Sequence, residues 1–259
     1  MKALVLSAGR GERLMPLTAT VPKPIVEVGG RPLIHYPLKM LAAAGVREVA
    51  INVHHLASVV QETLGDGAVL GMRIRYAPEA MLLGTGGPLR GLREFFGDET
   101  FAVLNCDTII DLDLSSLEKF HRERGALATM VLRENRSPQT YSRVEIDCSA
   151  RVRRMCLLMS RSPVRFEEYE APLDTAEASA LSAYMYCGVL LCEPSIFKLM
   201  PSIAPPFSLM SDLLAPILTR GAPFLGYVHS GWFRTVDDLA SLEALRIELA
   251  SSQPSLGFL

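Results

Sequence analysis

The chain has 259 residues, with 26 Lys+Arg against 28 Asp+Glu, a formal charge of −2 and a pI near 6.2. That balance excludes a nucleic-acid binder held by bulk charge. With 49% hydrophobic and 21% charged residues, the chain can build a sizeable core and lies far from disordered compositions. In chain order, Lys2 to Leu6 is an apolar run leading into Ala8-Gly9-Arg10-Gly11, which predicts a buried strand emptying into a phosphate-sized loop. From Arg31 to Ala44 the apolar positions Leu33, Ile34, Pro37, Leu38, Leu41 and Ala44 recur at helical spacing, with Pro32 near the start and Gly45 at C′. Strands follow at Val46 to Val53, Arg73 to Tyr76 and Phe101 to Leu104, the last ending at Asn105-Cys106-Asp107; helices are predicted at Leu56 to Leu64 and Pro88 to Phe96.

After a helix at Leu114 to Arg124 and a strand at Leu127 to Leu132, the shorter runs Arg143 to Ile146 and Arg151 to Leu158 read as a hairpin. Arg161 to Ser179, polar and acidic with two prolines, reads as an exposed loop or flap. Tyr184 to Leu191 resumes as a strand, Ile196 to Met200 and Leu209 to Leu218 as helices, and Val236 to Leu249 as a closing helix. The alternation predicts a Rossmann-like three-layer α/β/α sandwich with a mixed, mostly parallel sheet. Dividing by roughly 150 residues per domain gives between one and two, and because α/β folds of this size are often one unit, a single domain, residues 1–259, is expected, with one half to 125 and a β-rich half from 126. The longest apolar stretch, Ala180 to Cys192, is broken by Ser182 and Gly188 and falls short of the ~20 residues that cross a bilayer. The run after Met1-Lys2 is too brief for a secretory signal, so no membrane contact and a cytoplasmic location are expected. Five cysteines (Cys106, Cys148, Cys156, Cys187, Cys192) without a C-x-x-C pair read as free, mostly buried thiols rather than a metal site.

In open α/β sheets ligands sit beyond the carboxyl ends of the strands, so the loop after the first strand and Asp107 should border one crevice. Gly9 and Gly11 let backbone N–H groups approach a polyphosphate, and Arg10, Arg13 and Lys23 add charge-assisted donors. The segment is neither a Walker loop nor the dinucleotide fingerprint, because position 14 is Leu. By itself Gly9-x-Gly11 fits a plain turn as well as an anion loop. Adjacent histidines His54-His55 point to opposite faces of a strand and read as turn or capping groups. Phe207, Leu209, Met210, Leu213, Leu214 and Ile217 share a helical face that reads as core, a homodimer contact being the alternative.

The longer pattern is more specific. Leu6-Ser-Ala-Gly-Arg-Gly-Glu-Arg-Leu-Met-Pro-Leu-Thr18, Pro22-Lys-Pro24-Ile-Val-Glu-Val28 and Arg31-Pro-Leu-Ile34 together resemble the signature of the sugar-1-phosphate nucleotidylyltransferases. Leu83-Gly-Thr-Gly-Gly-Pro-Leu89 is similar to that family's second glycine-rich loop, and Asn105-Cys-Asp107 to its Asn-Gly-Asp metal motif. The resemblance implies a nucleotide-diphospho-sugar transferase fold and the transfer of a nucleotidyl group from an NTP to a sugar-1-phosphate. Arg13 would hold the leaving pyrophosphate, Lys23 the α-phosphate, and Asp107 a Mg²⁺ ion. Ala8, Gly9, Arg10 and Gly11 would cradle the nucleotide, with Gly84 and Thr85 near the base. Leu-Gly-Thr-Gly-Gly and the short length look most like the mannose-1-phosphate guanylyltransferase branch, which implies GTP and a manno-configured sugar. Ending soon after its closing helix, the sequence is expected to lack the β-helix that many relatives append.

Two departures stand against this likeness. Where the family carries Glu-Lys-Pro, the chain reads Met155-Cys-Leu-Leu-Met159, leaving Arg161 or Arg165 as substitutes for the lysine. The family's Trp-x-Asp-x-Gly-Thr appears as Trp232-Phe-Arg-Thr-Val-Asp-Asp238, with Arg234 in place of an acid. Asp237, Asp238 or Asp111 would have to supply the second carboxylate, Asp237 being the favoured metal ligand, although acids at a helix start are also caps. If none does, the alternative is a weakened homologue that binds nucleotide sugars or regulates.

Overall fold

A computed structural model describes residues 1–135, 141–161, 164–172, 180–251 and 256–258. The chain divides into two compact units, the first made of Met1–Leu82, Phe101–Ser115 and Gly231–Leu259. In it β1 (Lys2–Leu6) lies between two parallel neighbours. On one side are β4 (Glu48–Val53) and then β5 (Arg73–Pro78); on the other is β6 (Phe101–Asn105). Ala3, Leu4 and Val5 of β1, and Phe101 to Leu104 of β6, are all buried, as expected of parallel strands covered on both faces. The chain moves from β1 outward to β4 and β5, then returns to the opposite side of β1 as β6. That reversal opens a crevice at the carboxyl ends of β1 and β6, where the chain emerges at Ser7 and at Cys106.

The helix predicted from Arg31 begins later, as α1 (His35–Ala43). Gly29 and Gly30, at φ +56 and +74, make a tight turn that draws Arg31–Pro32 (β3) into pairing with Glu27–Val28 (β2). At its other end α1 stops as expected, with Gly45 at φ +80. α2 (Ala57–Leu64) packs against the short turn Lys23–Ile25. Two further strands too short to show a period were not predicted: β7 (Thr108–Ile110) and β14 (Phe233–Thr235), paired antiparallel with Thr235 opposite Thr108. The closing helix, α7 (Leu239–Ser251), starts three residues later than predicted. A core cluster of Leu14, Val26, Val28, Ile109, Val236, Leu242 and Leu245 joins the loop after β1, β7, the turn after β14 and α7.

The second unit comprises Leu83–Thr100 and Ser116–Ser230. The single helix predicted at Pro88 is two short ones, α3 (Gly87–Gly91) and α4 (Arg93–Phe96); α5 (Leu114–Glu123) runs into the unit. Its strands follow the order β11 (Val164–Glu170), β10 (Val152–Arg161), β9 (Arg143–Ile146), β12 (Ser182–Cys192), β8 (Ala128–Glu134), antiparallel throughout. β13 (Phe224–Val228), which was not foreseen, adds to β8 in parallel. The two units thus give the mixed α/β fold expected, with the parallel pairs concentrated in the first. β11 corrects the loop predicted from Arg161: its charged side chains suit an edge strand whose backbone pairs with β10 while Arg165, Glu168 and Glu170 face water. Residues 173–179 of that predicted loop lie outside the described residues. Phe207, Leu209, Leu213, Leu214 and Ile217 are buried, as the core reading requires. Phe207 lies ahead of the helix, which starts after Ser208; the helix is a π turn (Leu209–Leu214) followed by α6 (Ala215–Thr219), since Pro216 has no N–H for the helical ladder.

Ile109 is fully buried between these elements, and Ile109→Ala is expected to cost about 3 kcal/mol, read as a lowered denaturant midpoint.

Candidate active site

The loop after β1 is fixed where it starts. The Ser7 N–H donates to Asn52 Oδ1 at 2.8 Å and its hydroxyl to the Asn52 carbonyl at 2.7 Å, while Asn52 Nδ2 donates to Glu79 Oε1 at 2.8 Å. Ala8 is buried, and Gly9 and Arg10 are exposed. Gly11, at φ +65, turns the chain; a Cβ there would stand 3.0 Å from Thr18 Cγ2 and 3.2 Å from Lys23 Cβ. Glycine is therefore what lets the far end of the loop return against its beginning. The return is tied by Thr18, whose hydroxyl donates to the Gly11 carbonyl at 2.9 Å and whose own carbonyl accepts from His55 Nε2 at 2.7 Å. His54 Nδ1 bonds the Glu79 carbonyl at 2.8 Å, so each histidine ties one backbone carbonyl through a ring nitrogen.

This folding delivers Lys23 to Asp107, which stands in the turn between β6 and β7. Lys23 Nζ and Asp107 Oδ2 form an ion pair, with 14% and 16% of the two side chains exposed. Burial alone would lower the Lys23 pKa; the Asp107 charge and hydrogen bond, with help from Asp237, more than offset it and raise the value. Beside it the Cys106 thiol is pushed up to about 12, chiefly by burial and then by Asp107, so it stays protonated at neutral pH.

Asp237 arrives by the β7–β14 ladder. The Val236 N–H points at the Asp107 carbonyl at 3.4 Å, and Asp237 Oδ1 pairs with Arg13 Nη1 at 3.0 Å. Of the two neighbouring acids, Asp238 is the cap: its Oδ1 accepts from the Ser241 N–H at 2.8 Å, while Ser241 Oγ accepts from the Asp237 and Asp238 N–H groups, each at 2.9 Å. Asp111 follows β7, its N–H donating to the Trp232 carbonyl at 3.1 Å. Arg234, at the acid's position in the family pattern, turns to α7 and makes a forked pair with Glu248 at 2.6 and 2.7 Å. Sequence reading missed Glu248, which no local spacing marks, and Thr18.

In the first unit, then, Arg13, Lys23, Asp107 and Asp237 come together as two cation–carboxylate pairs. Gly84 and Thr85 belong to the second unit. There the Thr85 hydroxyl accepts from the Leu209 N–H at 2.9 Å, and a Cβ on Gly84 would meet the Phe207 carbonyl oxygen at 2.3 Å. Met155, Cys156 and Leu157 are buried. Arg165 bonds Glu167 at 2.8 Å, and the Arg161 side chain lies outside the described residues. Among the described residues no group of three or more His, Cys, Asp or Glu gathers as a metal cluster, and no helix is long and apolar enough to cross a membrane.

The strand reversal and the loop it serves define an α/β protein of the nucleotide-diphospho-sugar transferase fold. Over its whole length the chain superposes on a glucose-1-phosphate thymidylyltransferase candidate from Bacillus anthracis, solved with sucrose, with a TM-score of 0.78 at 20% identity, covering 98% of that structure. Residues 2–156 match the nucleotidyl transferase family model, and the chain belongs to that family, among the sugar-1-phosphate nucleotidylyltransferases. UTP–glucose-1-phosphate uridylyltransferase of Synechocystis sp. is 32% identical over 239 residues, 86% of this chain and 57% of that protein. Mannose-1-phosphate guanyltransferase of Yarrowia lipolytica is 40% identical over 144 residues, 54% of this chain and 40% of that protein. The chain thus spans about half the length of the curated relatives it matches.

Because the folded Lys23 is raised, the pair's contribution is fully present below the ordinary lysine range and is lost as pH climbs through the raised value. Lys23→Ala, which strands Asp107, is expected to cost about 3 kcal/mol at neutral pH. Denaturant midpoints measured up the alkaline range should converge on the wild type only as Lys23 deprotonates.

Proposed function

We propose that this chain transfers a nucleotidyl group from an NTP to a sugar-1-phosphate, releasing pyrophosphate. The sugar-phosphate oxygen attacks the α-phosphorus, the bond from that phosphorus to the bridging oxygen breaks, and the electron pair leaves with pyrophosphate. One observation carries the reading: Arg13 and Lys23, distant in sequence from Asp107 and Asp237, are each set against a carboxylate at the carboxyl ends of β1 and β6. Their depths suit the two roles. Lys23 is largely buried and fits the reacting α-phosphate, where a desolvated ammonium acts most strongly on developing charge. Arg13 is half exposed and fits a pyrophosphate that must depart, holding it through a planar fork of donors.

The residues present fit a Mg²⁺ ion. Asp107 and Asp237 are hard oxygen donors whose charges both act on Lys23, and two carboxylates with phosphate oxygens and water suit a cation that keeps part of its hydration. When bound, such an ion would neutralise triphosphate charge. Asp107 and Asp237 would hold it, while the backbone from Ala8 to Gly11 would cradle the nucleotide. The likeness of Leu83-Gly-Thr-Gly-Gly87 to the guanylyl branch, with the 40% identity to the Yarrowia protein, supports GTP and mannose-1-phosphate or a related manno sugar.

The test is pyrophosphate release with Mg²⁺ from GTP, UTP, CTP, dTTP and ATP, each offered mannose-, glucose-, galactose- and N-acetylglucosamine-1-phosphates. Turnover is expected with GTP and mannose-1-phosphate and should be lost in Asp107→Asn; a different productive pair would replace the substrate assignment, and silence in every combination would overturn the reaction. Asp237→Asn is expected to keep the nucleotide KM within a few-fold while raising the Mg²⁺ needed for half-maximal rate roughly tenfold.

A further inference from the structure

The chain puts an arginine where its family pattern has an acid, and the structure shows where that cation goes. Arg234 Nε donates to Glu248 Oε2 at 2.7 Å and Nη2 to Oε1 at 2.6 Å, while Trp232 Nε1 donates to the same Oε1 at 2.9 Å. The guanidinium also lies over the Trp232 ring, 5.0 Å from its centroid. A lone ion pair this exposed would contribute little; a forked pair sharing its carboxylate with an indole N–H and stacked on that indole is a network with one geometry. The network outweighs the burial that would push Glu248 up, and holds its carboxyl below the usual range.

Its position matters more than its strength. Trp232 precedes β14 and Arg234 lies within it, Glu248 lies late on α7, and Asp237 falls between β14 and Glu248 in the chain. The clip closes a loop over the segment that bears Asp237, reducing the conformations open to it. Helix α7 is itself anchored, with Arg246 Nε and Nη2 donating to the Glu27 carbonyl at 3.1 and 3.0 Å. Inside the loop, the β7 ladder holds one side of Asp237 and Ser241 the other. We infer that Glu248 is a positioning residue: by clipping Arg234 and Trp232 to α7, it fixes Asp237 beside Asp107 and Lys23 and turns the substituted cation onto the helix. The catalytic consequence rests on the reading of Asp237 given above.

Trp232 is the only tryptophan in the chain, so its emission reports the clip directly. In Glu248→Ala we expect red-shifted emission and faster amide hydrogen exchange at residues 236–238 of the ligand-free protein. In turnover, half-saturating Mg²⁺ should rise roughly tenfold, the scale of losing a partner behind a metal ligand, with the sugar-phosphate KM unchanged. Glu248→Gln, whose amide oxygen still accepts from Trp232 but leaves the Arg234 charge unanswered, should fall between, and it serves if the alanine variant does not fold. Wild-type exchange at 236–238 in both variants overturns the inference; so does faster exchange with an unmoved Mg²⁺ requirement, which would make the clip merely structural. If the wild type releases no pyrophosphate from any substrate pair, the reaction fails separately, and the exchange comparison still decides whether Glu248 holds Asp237.

Discussion

An ammonium and a carboxylate held mostly out of water, as Lys23 and Asp107 are, survive only if the chain on both sides is rigid enough to keep each opposite the other. Much of the first unit is arranged to that end. Gly11 folds the loop tightly enough for Lys23 to come back to it; Thr18 and His55 tie the return; the strand reversal around β1 places Asp107 at the same end of the sheet. One apolar cluster lies under all of it. Leu14 follows Arg13, Val26 closes the turn begun at Lys23, Ile109 stands two residues past Asp107 and Val236 precedes Asp237. Each charged side chain is thus carried by a neighbour in the core, so that side-chain packing, a term far larger than any single ion pair, sets the positions of the charges.

Those parts of the site that depend on local chain chemistry were readable. Gly11 needs a positive φ, and the glycine-rich segment announces it; Lys23 sits between two prolines that fix its turn; Asp107 follows a strand whose continuous apolar run marks it as buried on both faces. The parallel core of the first unit follows from the same runs, and Gly45 ends α1 as a C′ glycine should. Arg13, Lys23 and Asp107 could therefore be assigned to one crevice before any coordinates.

What resisted reading depends on pairing between distant segments. β7 and β14 have three residues each, too few for a two-residue period to stand out, yet their ladder alone brings Asp237 to Asp107 and leaves Asp238 to cap α7. Neighbouring acids look alike in sequence; here a single backbone register separates a site residue from a cap. β11 was hidden for the converse reason. Its charged residues satisfy the composition of a loop, and only the backbone ladder with β10 makes it a strand. Glu248 shares its helix with a second acid, Glu243, and nothing local distinguishes the one that meets Arg234.

The pairing pattern also bears on how such a site would receive a triphosphate. Arg13 and Lys23 are neutralised by Asp237 and Asp107, so the four groups together offer an incoming polyanion little net attraction. On the proposed reaction, the two cations can turn to phosphate only if the two carboxylates gain another positive partner, and a divalent cation entering with the nucleotide meets that need. Nucleotide and cation would then bind with a favourable coupling, each making the other's site. The same logic explains the cost of a misplaced arginine. A guanidinium at position 234 left facing Asp107 would compete for the carboxylates that the cation requires; turned onto Glu248, it instead stiffens the segment that supplies Asp237.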